Sequence, residues 1–219
     1  MSSEAPAVVV VGATGYVGSR LTRWFLDRGW AVLACGRDAA ALARLEEAGA
    51  QVVDVRAFDD RSSGQPERAM RELTAQHTLH GVVASVGGWW IGDRLEDLSR
   101  DVWDGFLESH LTSHLTSVQH LVPHLPPGAG YVVLNGAASH VPMAGSGPVS
   151  VTGAALHMLV EVLRAESTGV RFREVVVERA IAGDDRNRDP EAEVALDAVA
   201  EAVRDALDDG PDVRRVDVG

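Results

Sequence analysis

The chain has 219 residues, 46% hydrophobic and 24% charged, a length and balance that fit one globular domain over 1–219 needing no staple for its core. Its 32 acidic against 20 basic residues leave a net charge of −12, which speaks against a nucleic-acid binder but not against a local nest of backbone N–H groups around an anionic ligand. One cysteine, Cys35, rules out an intrachain disulfide; no apolar run is long enough to span a bilayer, and Met1 to Pro6 carries no signal-peptide pattern. A cytoplasmic protein without membrane contact is expected.

The valine-dominated run Ala7 to Val11 reads as a strand buried on both faces. Gly15 to Arg28 has helical spacing through Val17, Leu21, Trp24 and Phe25, and Gly29 stops it. A second strand at Ala31 to Ala34, a helix at Asp38 to Ala48 and a third strand at Gln51 to Val55 follow. Ser62 to Pro66 is a loop signal, and a helix through Met70 and Leu73 comes next. The fourth strand is Gly81 to Ser85, broken by Gly87-Gly88, and a long helix runs from Ser99 to Leu125. A fifth strand, Gly130 to Leu134, a helix, Val149 to Ser167, and a sixth strand, Phe172 to Val177, precede a helix at Glu191 to Leu207 and a last strand at Val213 to Val218. Regular alternation of strand and helix predicts an α/β fold: a doubly wound, Rossmann-type parallel sheet of about seven strands with helices on both faces.

Between the first strand and the first helix stands Gly12-Ala13-Thr14-Gly15-Tyr16-Val17-Gly18. Glycines at this spacing permit a tight turn, close approach of backbone to a pyrophosphate, and close helix–strand packing, while the helix N-terminus presents free N–H groups. The context makes this a dinucleotide loop. The second strand ends Cys35-Gly36-Arg37-Asp38 rather than on an acid. A guanidinium suits a 2′-phosphate, so NADP(H) is favoured over NAD(H); Asp38 reads as the cap of the next helix.

In these landmarks the chain resembles the short-chain dehydrogenase/reductase (SDR) family. Gly12 to Gly18 resembles its cofactor loop, Asp54-Val55 its adenine-contacting pair, Ala84-Ser85-Val86-Gly87 the segment after the fourth strand, and Trp103 to Leu107 the start of its long fifth helix. The resemblance implies a cofactor set of Gly12, Thr14, Gly15, Tyr16, Val17, Gly18, Arg37, Asp54, Val55, Ser85 and Gly87. It implies a homodimer or homotetramer as well, built on paired long helices. The catalytic half departs from the pattern. Where the family carries Tyr-x-x-x-Lys, this chain has Val149 and Gly153. The segment of the catalytic serine is Asn135-Gly136-Ala137-Ala138-Ser139, the helix asparagine is His110, and Glu178-Arg179 replaces a Pro-Gly. Valine and glycine cannot transfer a proton. Of the two tyrosines, Tyr16 lies in the cofactor loop and Tyr131 inside a strand.

His110 and Ser139 are the candidate catalytic replacements: an imidazole that donates near neutral pH and a hydroxyl that can bond a substrate carbonyl. His110 also belongs to a stripe with Trp103, Leu107 and His114, and His110 with His114 has the i, i+4 spacing of metal ligands but no evident third ligand, so no metal is expected. Asn135 is a candidate partner for an amide, Trp89-Trp90 for a pocket wall, and His157 for the space a lysine would fill. The short, charged stretch Ala180 to Pro190 stands where the family has a lid. Three functions compete: an NADPH-dependent reductase of a carbonyl or enone on a small organic substrate, a non-catalytic NADP(H) sensor or partner of an active homologue, and a non-redox lyase or isomerase.

Overall fold

The computed structural model describes residues 5–58, 64–184, 187, 191, 193–208 and 215–219. In chain order the strands are β1 (Pro6–Val11), β2 (Ala31–Gly36), β3 (Gln51–Asp54), β4 (Thr78–Ala84), β5 (Gly130–Gly136), β6 (Arg171–Val177), the two-residue β7 (Ala180–Ile181) and β8 (Glu193–Val194), and β9 (Arg215–Val218). The helices are α1 (Tyr16–Leu26), α2 (Ala39–Glu47), α3 (Gln65–Gln76), α4 (Arg100–Leu107), α5 (Ser113–Leu121), α6 (Gly147–Glu166) and α7 (Leu196–Asp208). Seven strands form one sheet in the order β3-β2-β1-β4-β5-β6-β9, every pairing parallel. The expected Rossmann-type sheet is therefore present.

The unbroken valines of β1 have a clear use. Val8 and Val10 face a core built with Leu21 and Phe25 of α1 and Val203 of α7. Val9 and Val11 face a second core with Met70 of α3, Leu121 of α5 and Val160 of α6. A strand buried on both sides has no solvent face to mark with polar residues. The chain winds outward from β1 to β3, then returns to place β4 on the other side of β1. The crevice beyond the carboxyl ends of β1 and β4 is the switch point where doubly wound sheets bind ligands.

Three helix expectations need correction. The helix expected over Ser99 to Leu125 is two helices joined by one wide turn, Glu108–Thr112, in which the Ser113 N–H bonds back five residues to Glu108. Its end, Val122–His124, tightens into a 3₁₀ turn at Pro123, whose ring has no N–H to continue the ladder. The helix expected from Glu191 begins only at Leu196, because Glu193–Val194 pairs with Ala180–Ile181 instead. The helix expected from Val149 starts earlier, at Gly147, with Pro148 in its first turn. Of the last strand, Val213 and Arg214 lie outside the described residues, as do Ser62 and Ser63 of the expected loop.

The buried charge on β6 also serves the fold. Arg173, almost wholly buried, donates from Nη1 to Ala206 O at 2.7 Å, and Arg171 Nη2 donates to Leu207 O at 2.9 Å. Both close off carbonyls at the C-terminal end of α7, where cations are favourable.

Candidate active site

The glycine loop is shaped by contacts that leave no room for side chains. The N–H groups of Gly12 and Ala13 both donate to Cys35 O, at 2.9 and 3.0 Å, so the loop is pinned to the end of β2. Gly12 has φ +82°, and a Cβ there would sit 2.2 Å from Ser85 O. A Cβ at Gly18 would sit 2.1 Å from Gly12 O. The loop thus threads between β4 and its own helix with backbone alone. Gly15 precedes α1 in extended geometry, and no side chain caps the helix. Gly15 and the first two residues of the helix, Tyr16 and Val17, line the cleft. That arrangement fits a pyrophosphate.

Beside the loop, Thr14 occupies the space that a side chain at Gly36 would need, with its Cγ2 2.3 Å from that position. Arg37 is exposed and makes no hydrogen bond or ion pair among the described residues. Asp38 accepts from Ala41 N at 2.9 Å and caps α2. Asp54, paired with Gly36 across β2 and β3, is held by Arg56 through two 2.9 Å bonds from Nε and a short one from Nη2. The Arg56 guanidinium lowers the Asp54 pKa. Val55 follows it in a 3₁₀ turn. Cys35 lies buried beneath this edge; burial raises its thiol to about 12, so it stays protonated and inert.

A cleft of about 530 Å³ runs from the loop past Ser85, Gly87 and Trp90 to His110, then along Asn135, Val149 and Gly153 to Arg179. Among the candidates, His110 lies in it and Ser139 does not: the lining residues there are Ala137 and Ala138. Ser139 sits on a 3₁₀ turn with Oγ 3.4 Å from His140 Nδ1 and its Cβ 3.1 Å from where a Gly153 side chain would begin. Tyr131 is sealed in the core against Phe172, and burial pushes its pKa up. Tyr16 lines the cleft, but its hydroxyl donates to Ala182 O at 3.1 Å, tying the stretch after β6 to α1. Arg186 and Asp185 of the expected lid, and 188–190, lie outside the described residues.

His110 stands on the wide turn between α4 and α5. Its Nε2 is 3.3 Å from Gly88 O and its Nδ1 2.8 Å from Ser109 Oγ. Desolvation lowers its pKa, so the ring is neutral near pH 7. Phe106 packs on it at 4.9 Å between ring centroids, and Trp90 meets Phe106 edge-on at 5.6 Å. His114, one turn on, is fully buried, with Nε2 3.1 Å from Val86 O and a pKa lowered to about 4 by burial. The stripe read from spacing is real, and both rings spend Nε2 on the loop after β4 rather than on a shared ion.

The space beside Gly153 is filled. Asn135 donates from Nδ2 to Gly153 O at 2.9 Å and to Glu174 Oε1 at 2.7 Å, while its Oδ1 accepts from Gly136 N at 2.9 Å. Its amide has no donor left for a ligand. Glu174, buried on β6, takes its second contact from His157 Nδ1 at 2.7 Å. His157 therefore turns to Glu174 and away from the cleft. Sequence reading missed this cluster, although one signal was available: a glutamate inside the apolar strand Arg-Phe-Arg-Glu-Val-Val-Val, since buried charges come with partners.

Comparison with known proteins agrees with this architecture. The short chain dehydrogenase family matches residues 6–180. A search of curated proteins found no match. Among solved structures, a short-chain dehydrogenase from Streptomyces avermitilis superposes with TM-score 0.79 at 19% identity, covering 100% of this chain and 89% of that one. A 3-oxoacyl-[acyl-carrier protein] reductase from Brucella melitensis gives 0.78 at 18%, covering 99% and 91%. An alcohol dehydrogenase from the archaeon Thermococcus sibiricus, complexed with 5-hydroxy-NADP, gives 0.75 at 23%, covering 97% and 95%. At such identities the shared property is the fold. The family match itself runs from β1 through the glycine loop and α6 to the start of β7, and on it the chain belongs to the short-chain dehydrogenase/reductase family.

Proposed function

We propose that the chain is an NADP(H)-dependent reductase of a small carbonyl or enone substrate, with His110 in place of the usual tyrosine. The observation that carries this reading is one continuous cleft from the uncapped N-terminus of α1 to the His110 ring. The bound dinucleotide supplies hydride at its nicotinamide. Gly12, Gly15, Tyr16, Val17 and Gly18 with Thr14 hold its phosphates, Ser85 and Gly87 border the path to the reacting end, and Asp54 with Val55 flanks the adenine. Arg37, exposed and uncommitted, takes the 2′-phosphate, while Asp38 uses its Oδ1 to cap α2. A neutral His110 turns its Nε2–H from Gly88 O to the substrate oxygen and polarises the carbonyl. The proton that completes the alcohol comes from water at the open mouth. Ser139 has no part in this scheme. The test is NADPH oxidation with a panel of ketones and enones, run beside His110→Ala and Arg37→Ala; turnover by the parent that falls at least tenfold in His110→Ala is the expected result. A panel-wide absence of oxidation, with NADPH bound, overturns it.

The filling of the Gly153 space by Asn135 and Ser139 favours a second reading, a non-catalytic NADP(H)-binding sensor or a subunit of an active homologue. A sensor binds NADP⁺ and NADPH with different affinities, which titration measures. We also place self-association, as a homodimer or homotetramer, on the exposed Val102, Leu115, Val151, Met158 and Val162 of α4, α5 and α6; sedimentation of a Met158→Glu variant checks it. No described helix is long and apolar enough to cross a membrane.

A further inference from the structure

Ten large hydrophobic side chains are exposed among the described residues, and five of them, Trp89, Ile91, Leu95, Val141 and Met143, stand on only two loops. These are the loops after β4 and before α6, and they rim one end of the cleft. They are fastened to each other: Gly92 N donates to Gly145 O at 2.9 Å, and Ser146 Oγ donates to Trp90 O at 2.7 Å. Leu95 packs close to Gly147, and Trp90 folds back over Gly92. Ile91 is 62% exposed and Trp89 43%, yet both belong to a stapled structure rather than a free strand of loop. The charge that lines the cleft is segregated by chain segment. Glu178, Arg179 and Asp184 come from the stretch after β6, whereas the lining residues from Trp89 through Met143 to Val149 include no ionisable group except His110; Asp93, Arg94 and His140 stand on the same two loops outside that lining, His140 with its Nε2 3.4 Å from Glu178 Oε1.

We infer that the substrate carries an uncharged apolar chain or ring, which leaves the cleft between Trp89 and Met143 and lies along Ile91 and Val141. This rests on the reading of the cleft as a reductase site. A free carboxylate on that chain would meet an apolar wall in a protein of net charge −12 and would have to be desolvated without a partner. Each methylene laid on this rim is removed from water, so affinity rises with chain length. A fully buried methylene adds about fourfold; on an open rim about twofold is expected.

The test is direct binding of 2-alkanones from 2-butanone to 2-octanone, and of 7-oxooctanoate, read by quenching of the tryptophans with and without NADP⁺. Affinity should rise by about twofold per methylene, and 7-oxooctanoate should bind at least about tenfold more weakly than 2-octanone. Ile91→Glu and Met143→Glu should each flatten the slope. A flat series, or an oxo acid that binds as well as the ketone, overturns the inference. So does a slope that survives both substitutions while sedimentation shows a dimer lost, since a second copy would then be what covers the rim. If the slope holds but NADPH is neither bound nor oxidised, the reductase reading fails and the apolar site stands.

Discussion

On the β1–β4 side of the cleft the working parts are backbone. Gly12, Gly15 and Gly18 carry no side chains, two of them could not, and the groups offered to a ligand are N–H donors at the start of α1. On the β5–β6 side the working parts are side chains: Asn135, Glu174 and His157 form a hydrogen-bond chain that starts at Gly153 O. The first side can be read from residue types, because a glycine forced by a close approach has few substitutes. The second side joins β5, α6 and β6 through side chains that are distant in sequence.

The largest effect tests the backbone side. Gly12→Val places a Cβ against Ser85 O at a positive φ. It should cost upwards of about 3 kcal/mol and abolish NADPH binding, seen by thermal denaturation and fluorescence titration. Gly15→Ala, whose Cβ would sit 3.3 Å from Gly12 O, should stay folded and weaken binding only several-fold; parity of the two would dissolve the contrast.

His114 sets the next effect. Its folded pKa is about 4 against 6.5 for a free imidazole. The folded state keeps it neutral while the unfolded chain takes up a proton. Stability is then complete above 6.5, falls as pH drops from 6.5 to 4, and levels off below. Roughly 3 kcal/mol is at stake over that window. Urea unfolding at pH 7 and 4.5 should show the loss, and His114→Leu should lack much of it; an unchanged pH slope in that variant would assign the acid sensitivity elsewhere.

Glu174→Ala should cost about 2–3 kcal/mol, because it strands the Asn135 amide and the His157 ring donor near a buried site, while Glu174→Gln should recover part of that. Nucleotide affinity should barely move in either, since Glu174 and His157 do not line the cleft. Arg37→Ala should weaken NADPH binding about tenfold and leave NADH alone, as expected for one lost charge-assisted contact; equal loss for both cofactors would move the 2′-phosphate away from Arg37. The smallest effect is a coupling. A Cβ at Gly153 would sit 3.1 Å from Asn135 Oδ1, so Gly153→Ala should cost about 1 kcal/mol less in an Asn135→Ala background than in the parent.

The order of strands and helices, the parallel sheet and the glycine loop were legible because each rests on local pattern. Valine in an unbroken run, helical spacing closed by Gly29 or Gly49, and glycines between strand and helix need no knowledge of distant residues. The cap role of Asp38 and the burial of Tyr131 were legible for the same reason. The stripe of His110 and His114 was legible as spacing, but the wide turn beneath it was not, since a single five-residue bond leaves no mark in composition.

The chemistry beside Gly153 was not legible at all. Sequence order puts Asn135 on β5, Gly153 and His157 one turn apart on α6 and Glu174 on β6, and nothing local links the two strands to that helix face. Their meeting depends on β5 and β6 being neighbours with α6 laid across them, a long-range consequence of sheet order. Likewise, that His110 lines the cleft while Ser139 stands behind its wall depends on how two loops turn, not on which residues they contain. Backbone conformation and burial pattern follow from residue type and spacing, so the chain alone determines the nucleotide half; side chains that must find partners across three elements acquire their roles only when those elements pack.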